Sequence, residues 1–206
     1  MIGPPIGEVV HAGLTFNPRL RVPIEDVRAK VDALFNALDD EKIAYLLVGG
    51  VALLSYVEGR NTQAVDIILD TADLDRVGWT VTGRDQDFAR ADFHGLRVDL
   101  LLTDNALFAQ VRRAHATTGT FGEREVPCAT REGLLLLKMY ALPSLYRQGQ
   151  FARAALYETD ILMLHQDAHV DDEALLAALA PHTQASDLAE IHKILAEQRT
   201  RRRFGA

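Results

Sequence analysis

The 206-residue chain contains a single cysteine, Cys128, so no internal disulfide is possible and a reducing cytoplasm is the expected home. Long apolar runs are missing too. The longest uncharged stretch, Ile43 to Val57, is broken by Gly49-Gly50 and falls short of the roughly 20 apolar residues that span a bilayer, so no membrane association is expected. Nor is there an excess of positive charge. The formal charge of −7 excludes a surface basic all over for indiscriminate nucleic-acid binding, though not a local basic groove. The first residues, MIGPPIGEVVHAGLTFNP, lack a basic start followed by an apolar block, and no export signal is expected. P-loop, G-x-G-x-x-G and G-x-S-x-G patterns are all absent. His165 and His169 have helical metal-ligand spacing, but Gln166 between them denies the HExxH pattern of metalloproteases. Cys128 has no histidine near it in sequence and reads as a core residue.

What remains is ordinary globular material. Nearly half of the residues are apolar (48%) and a quarter charged (25%), enough to bury a core in one domain or two small ones. Pro23 suits the first position of a helix to about Leu38, whose stripe of Val27, Val31, Leu34, Phe35 and Leu38 reads as core. Phe88 to Phe93 and Leu96 to Leu102 read as a hairpin closed at His94-Gly95. Asn105 to Ala114 reads as an amphipathic helix, Ala116 to Gly122 as a small-residue loop, and Glu125 to Ala129 as a last strand. From Thr130 the pattern is helical: Arg131 to Leu142, Phe151 to Leu164, Asp171 to Ala180 and Gln184 to Arg203. The basic cluster Arg199, Arg201, Arg202 and Arg203 is either a solvated helix end or a grip on RNA phosphates.

Chemistry is concentrated between Ile43 and Asp70. Tyr45 to Val48 is an apolar strand that Gly49-Gly50 stops where the backbone must turn sharply and approach something closely. A helix from Val51 to Val57 is expected next, its N-terminal amides favouring an anion such as a phosphate. After Gly59 comes Arg60-Asn61-Thr62, then a second strand, Gln63 to Leu69, carrying Asp66 among apolar neighbours. Residues 64, 66 and 68 share one strand face.

Gly49-Gly50, Arg60, Thr62 and Ala64-Val65-Asp66-Ile67, in that order between two apolar strands, resemble the signature of the nucleotidyltransferases related to DNA polymerase β. That signature is a Gly-Gly or Gly-Ser turn, a helix, and a strand bearing Asp-x-Asp. The narrower pattern of its abortive-infection and toxin–antitoxin branch, GG followed by R-x-T-x-D-h-D-h with h apolar, fits in register. Here alanine, at position 64, replaces the first aspartate.

The resemblance implies an α/β (α+β) architecture: a small mixed-sheet nucleotidyltransferase core with an N-terminal arm and helix (residues 1–129), then a C-terminal helical domain (130–206). It implies transfer of a nucleotide from an NTP to an RNA, plausibly tRNA, or to a protein acceptor, by the toxin of a toxin–antitoxin pair that has a cognate antitoxin. Gly49, Gly50, Arg60, Thr62 and Lys138 would bind the nucleotide, and Asp66 and Asp99 would hold Mg2+, with two ions expected if position 64 carried a carboxylate. Asp99 is the match for the family's third acid, in Leu96-Arg97-Val98-Asp99-Leu100; the alternative is an Asp paired with Arg97 or facing solvent. Lys138 and Asp160 match by position a lysine and an acid on successive helices. Alternatively, Lys138 is a surface lysine with its stem along the core. Leu156-Tyr157 stands where the family places basic residues before that acid. Ala64 leaves two readings open, an impaired enzyme or a catalytically silent member that binds nucleotide or a partner.

Overall fold

The computed structural model of the chain describes residues 24–57, 62, 64–166 and 168–204. Arg60, the N-terminal arm and the side chains of Arg201 to Arg203 lie outside the described residues. The chain divides into two compact units, the first ending at Thr130 and the second beginning at Arg131.

The first unit opens with α1 (Ile24–Asp40), whose Val31, Leu34, Phe35 and Leu38 are fully buried, as the apolar stripe predicts. Phe35 stacks on Tyr45 at 5.7 Å and meets the edge of Phe121 at 5.6 Å. Then follow β1 (Tyr45–Val48), α2 (Gly49–Leu53), β2 (Val65–Leu69), a 3-10 turn (Thr71–Asp73), β3 (Thr80–Arg84), β4 (Phe88–Phe93) and β5 (Leu96–Leu102). The unit closes with α3 (Ala106–Ala114), β6 (Ala116–Phe121) and β7 (Arg124–Ala129). One seven-stranded mixed sheet runs in the order β3-β4-β5-β2-β1-β7-β6. Its two parallel pairings, β2 with β5 and β1 with β7, sit among antiparallel ones.

The β4–β5 hairpin falls where the alternation puts it. His94 (φ 52°) and Gly95 (φ 81°) supply the two positive φ values of a tight hairpin turn, and Gly95 N donates to Asp92 Oδ1 at 2.9 Å. Asn105 caps α3, its side-chain oxygen accepting from the amides of Leu107 and Phe108.

Three boundaries differ from the sequence reading. The helix expected from Val51 to Val57 begins at Gly49 itself and ends at Leu53, because the next residues tighten into turns (Ser55 N to Ala52 O, 3.2 Å; Tyr56 N to Leu53 O, 2.9 Å). The expected loop at 116–122 is an edge strand that pairs with β7 along its whole length, turning at Gly122 (φ 62°). Its threonines favour a strand, but five of its six residues are solvent-accessible, so no alternation marked it.

The second unit contains α4 (Arg131–Arg147), α5 (Phe151–Leu164), α6 (Asp172–Leu179), a 3-10 turn (Ala180–His182) and α7 (Ala185–Phe204). The third difference lies in α4, which continues past Leu142 through Pro143. Proline in a helix interior removes a hydrogen bond and costs about 3 kcal/mol. Burial of Leu142, Pro143 and Leu145 offsets this, and the helix ends instead near Gly149 (φ 67°).

Candidate active site

Each glycine of the Gly49-Gly50 pair makes room for one motif residue. Gly49 has φ +62°, and a Cβ added there would lie 2.2 Å from Asp66 Oδ2. A Cβ on Gly50 would lie 2.6 Å from Thr62 Oγ1 and 2.8 Å from Thr62 Cβ. The turn's close approach is therefore to the motif's own side chains. The Gly50 amide donates to Asp66 Oδ2 at 3.4 Å, which ties the turn to the acid on β2. Thr62 is buried, and its hydroxyl donates to the carbonyl of Ala64 at 2.9 Å, fixing the entry into β2.

Asp66 pairs in register with Asp99 on β5 and with Val48 on β1. Registered residues on neighbouring strands point to the same face about 4.8 Å apart, so the two acids stand side by side. At that separation two carboxylates repel by about 3 kcal/mol at an effective dielectric constant near 20, and the arrangement calls for nearby positive charge. Two arginines bring it. Arg97 grips Asp99 with both arms of its fork, Nε at 3.0 Å from Oδ1 and Nη2 on Oδ2. From β4, Arg90 Nε reaches the same Oδ1 at 3.1 Å. Burial alone would raise the Asp99 pKa, but the Arg97 and Arg90 guanidinium groups outweigh it and hold the carboxyl below its usual value. Asp99 thus carries both features weighed from sequence: it lies beside Asp66 and it is paired with Arg97. Arg90 was missed, although counting outward from the His94-Gly95 turn puts it opposite Asp99.

Ala64 is buried and sits immediately before β2. It precedes Val65, whose partner on β5 is Val98, and Val98 is preceded by Arg97. The position without a carboxylate thus has an arginine as its neighbour on the next strand.

Nucleotidyltransferase chemistry implies a divalent metal, and a hard cation such as Mg2+ needs near-octahedral oxygen ligands. Asp66 and Asp99 are the acids offered, both oxygens of Asp99 face guanidinium groups, and position 64 is a methyl. Among the described residues no group of three or more His, Cys, Asp or Glu could hold an ion. This donor set does not fit a pair of ions.

In the second unit Lys138 and Asp160 are brought together. Lys138 Nζ lies 2.7 Å from Asp160 Oδ2, both side chains are buried, and the ammonium sits 4.4 Å from the centre of the Tyr157 ring. Lys138 is therefore no surface lysine. Its charge is committed to Asp160, and Tyr157 supplies an aromatic face. A further network went unseen in the sequence. His165 Nε2 is 2.7 Å from Asp172 Oδ1, His165 Nδ1 is 2.7 Å from the carbonyl oxygen of Ile161, and Arg199 Nε donates to Asp172 Oδ2 at 2.6 Å. His169 is exposed. Cys128 is buried, and burial pushes its thiol up to about 12, as for an inert core cysteine.

No protein-family model and no curated protein matches the sequence. Among solved structures, ANT(2'')-Ia in complex with adenylyl-2''-tobramycin matches with a TM-score of 0.52, over 76% of this chain and 97% of that one, at 14% identity. An antigenic nucleotidyltransferase-like protein from Paracoccidioides brasiliensis is similar at 21% identity, 80% and 92% coverage and a TM-score of 0.47. A solution structure of ANT(2'')-Ia gives 11% identity, 88% and 97% coverage and 0.49. At such identities the likeness is one of fold: the chain has the α/β architecture of nucleotidyltransferases, built on a mixed seven-stranded sheet.

Proposed function

We propose that the Gly49-Gly50 turn, Thr62, Asp66 and Asp99 form a nucleotide site of the nucleotidyltransferase type, and that this chain binds an NTP there while transferring it poorly or not at all. The observation that carries the reading is the coupling of the turn to the acids. Gly49 takes a left-handed conformation, Asp66 fills the space that a side chain there would need, and Asp66 stands in register with Asp99. An unrelated sheet with a chance Gly-Gly pair has no reason to show that coupling.

The weakness in transfer follows from Ala64. With one carboxylate absent and Asp99 neutralised by Arg90 and Arg97, the face lacks the donors that would activate an attacking hydroxyl. A deficit of a few kcal/mol in transition-state stabilisation corresponds to a hundredfold or more in rate, each 1.36 kcal/mol being about tenfold. In the branch that the sequence resembles, the acceptor would be an RNA, plausibly a tRNA end, or a protein hydroxyl, and the protein would be the toxin partner of a cognate antitoxin. The silent-binder reading is favoured by a specific contact, the double arginine grip on Asp99.

Thermal melts with each NTP test the site. A ligand that binds only the folded state raises the midpoint, by about 2.7 kcal/mol of stability at a hundred times Kd. At least one NTP is expected to do so at millimolar concentration, and the absence of any shift would count against the proposal.

A further inference from the structure

The inference that follows rests on reading this face as a nucleotide site, and it starts from the disagreement between the acids present and a pair of metal ions. Asp66 and Asp99 carry two negative charges side by side, and the positive charge facing them is built into the protein. Arg97 and Arg90 converge on Asp99 from two strands, at 3.0 and 3.1 Å through their Nε atoms. Together they bring the charge of one divalent ion. Arg97 also precedes Val98, the β5 partner of Val65, as Ala64 precedes Val65 itself, which brings the guanidinium-bearing position level with the one that lacks a carboxylate.

Neither guanidinium group is used up by these contacts. Each has five N–H donors, of which Asp99 takes two from Arg97 and one from Arg90. Their side chains are 44% and 58% exposed, so the rest of each fork is open to a ligand arriving at the face. A planar fork matches a phosphate with two parallel hydrogen bonds.

We propose that Arg97, supported by Arg90, is the phosphate-binding cation of this site and takes the place of the divalent metal, so that the triphosphate is held without Mg2+. The Arg97 pKa is raised, chiefly by its hydrogen bond to Asp99, so the group keeps its charge throughout the working range.

The test is an equilibrium titration of the full chain with ATP, GTP, CTP and UTP, once with Mg2+ and once with EDTA, repeated on Arg97→Gln and Arg97→Lys. The expected result is a dissociation constant for the preferred NTP that agrees within about threefold between Mg2+ and EDTA. Arg97→Gln should weaken it about tenfold or more while the protein still unfolds in one cooperative transition, at a lower midpoint because Asp99 loses its partner, and Arg97→Lys should recover part of the lost affinity. Binding that requires Mg2+, or that survives Arg97→Gln intact, overturns the arginine proposal and leaves the nucleotide site standing. No binding of any NTP in either buffer overturns both.

Discussion

The Asp66 carboxylate occupies the space that a side chain at Gly49 would need, with 2.2 Å between Asp66 Oδ2 and an ideal Cβ. Gly49→Ala therefore meets two penalties, a left-handed backbone worth about 1–2 kcal/mol and the displacement of Asp66. A total loss of about 2–4 kcal/mol is expected in urea unfolding, together with loss of any NTP-induced stabilisation. Gly78 is the control. Its φ is +64° and a Cβ there meets nothing within 4 Å, so Gly78→Ala should cost only the backbone part, about 1–2 kcal/mol. Equal losses at the two glycines would deny the Gly49–Asp66 contact its role.

The buried pair of Lys138 and Asp160 makes a separate prediction. Lys138→Met leaves a carboxylate of 0% exposure without its ammonium and should cost about 3–5 kcal/mol. The double variant Lys138→Met with Asp160→Leu removes both charges and should regain most of that loss. Chemical unfolding of the three variants decides it. If Lys138→Met costs less than about 1 kcal/mol, the ion pair does not hold these helices together.

Stability should also fall in acid, from both units. Asp172 is held below its usual pKa: burial pushes it up, but hydrogen bonds from His165 and Arg199 outweigh burial. Asp99 is held down likewise by Arg97 and Arg90. A carboxyl whose folded pKa lies below its unfolded value of about 3.9 contributes stability that is fully present above that value and lost as pH falls through the folded one. Unfolding free energy should therefore be insensitive to these groups above about pH 5 and drop steeply below about pH 4. Asp172→Asn should lower stability at neutral pH and flatten the acid limb. An acid limb as steep in Asp172→Asn as in the parent would remove Asp172 from this account.

Restoring the missing acid should not by itself restore transfer. The register that pairs Val65 with Val98 brings Arg97 level with position 64, where it would pair with the new carboxylate. Label transfer from an NTP to total RNA or total protein, with Mg2+ present, should appear in Ala64→Asp combined with Arg97→Gln. The single variant should be slower by about a hundredfold, as a loss of a few kcal/mol implies. Equal transfer by Ala64→Asp alone would show that Arg97 does not silence the site.

How far the sequence reached can be judged residue by residue. The β4–β5 hairpin was legible to its ends because Ala89, Ala91 and Phe93 alternate with exposed residues and because His94-Gly95 is a turn pair. The β6 strand was not, because an edge strand of alanine and threonine carries no alternation to find. The helix read as Arg131 to Leu142 runs on through Pro143 to Arg147, since burial that outweighs the local cost of proline is a tertiary effect. In the candidate site, the pairing of Asp66 with Asp99 was reached through resemblance, whereas the arginine grip on Asp99 needs strand register. Lys138 and Asp160 come from different helices 22 residues apart, and only packing chooses which faces meet.

The central claim is that nucleotide occupies the face formed by the Gly49-Gly50 turn, Asp66 and Asp99, and hydrogen exchange tests it most directly. Amide exchange should be followed with and without the NTP that gives the largest thermal shift, in EDTA as well as Mg2+. The account predicts slowed exchange at Gly49 to Tyr56 and along Arg90 to Asp99, in both buffers. Binding that leaves those segments unchanged, while protecting only residues beyond Thr130, would contradict it.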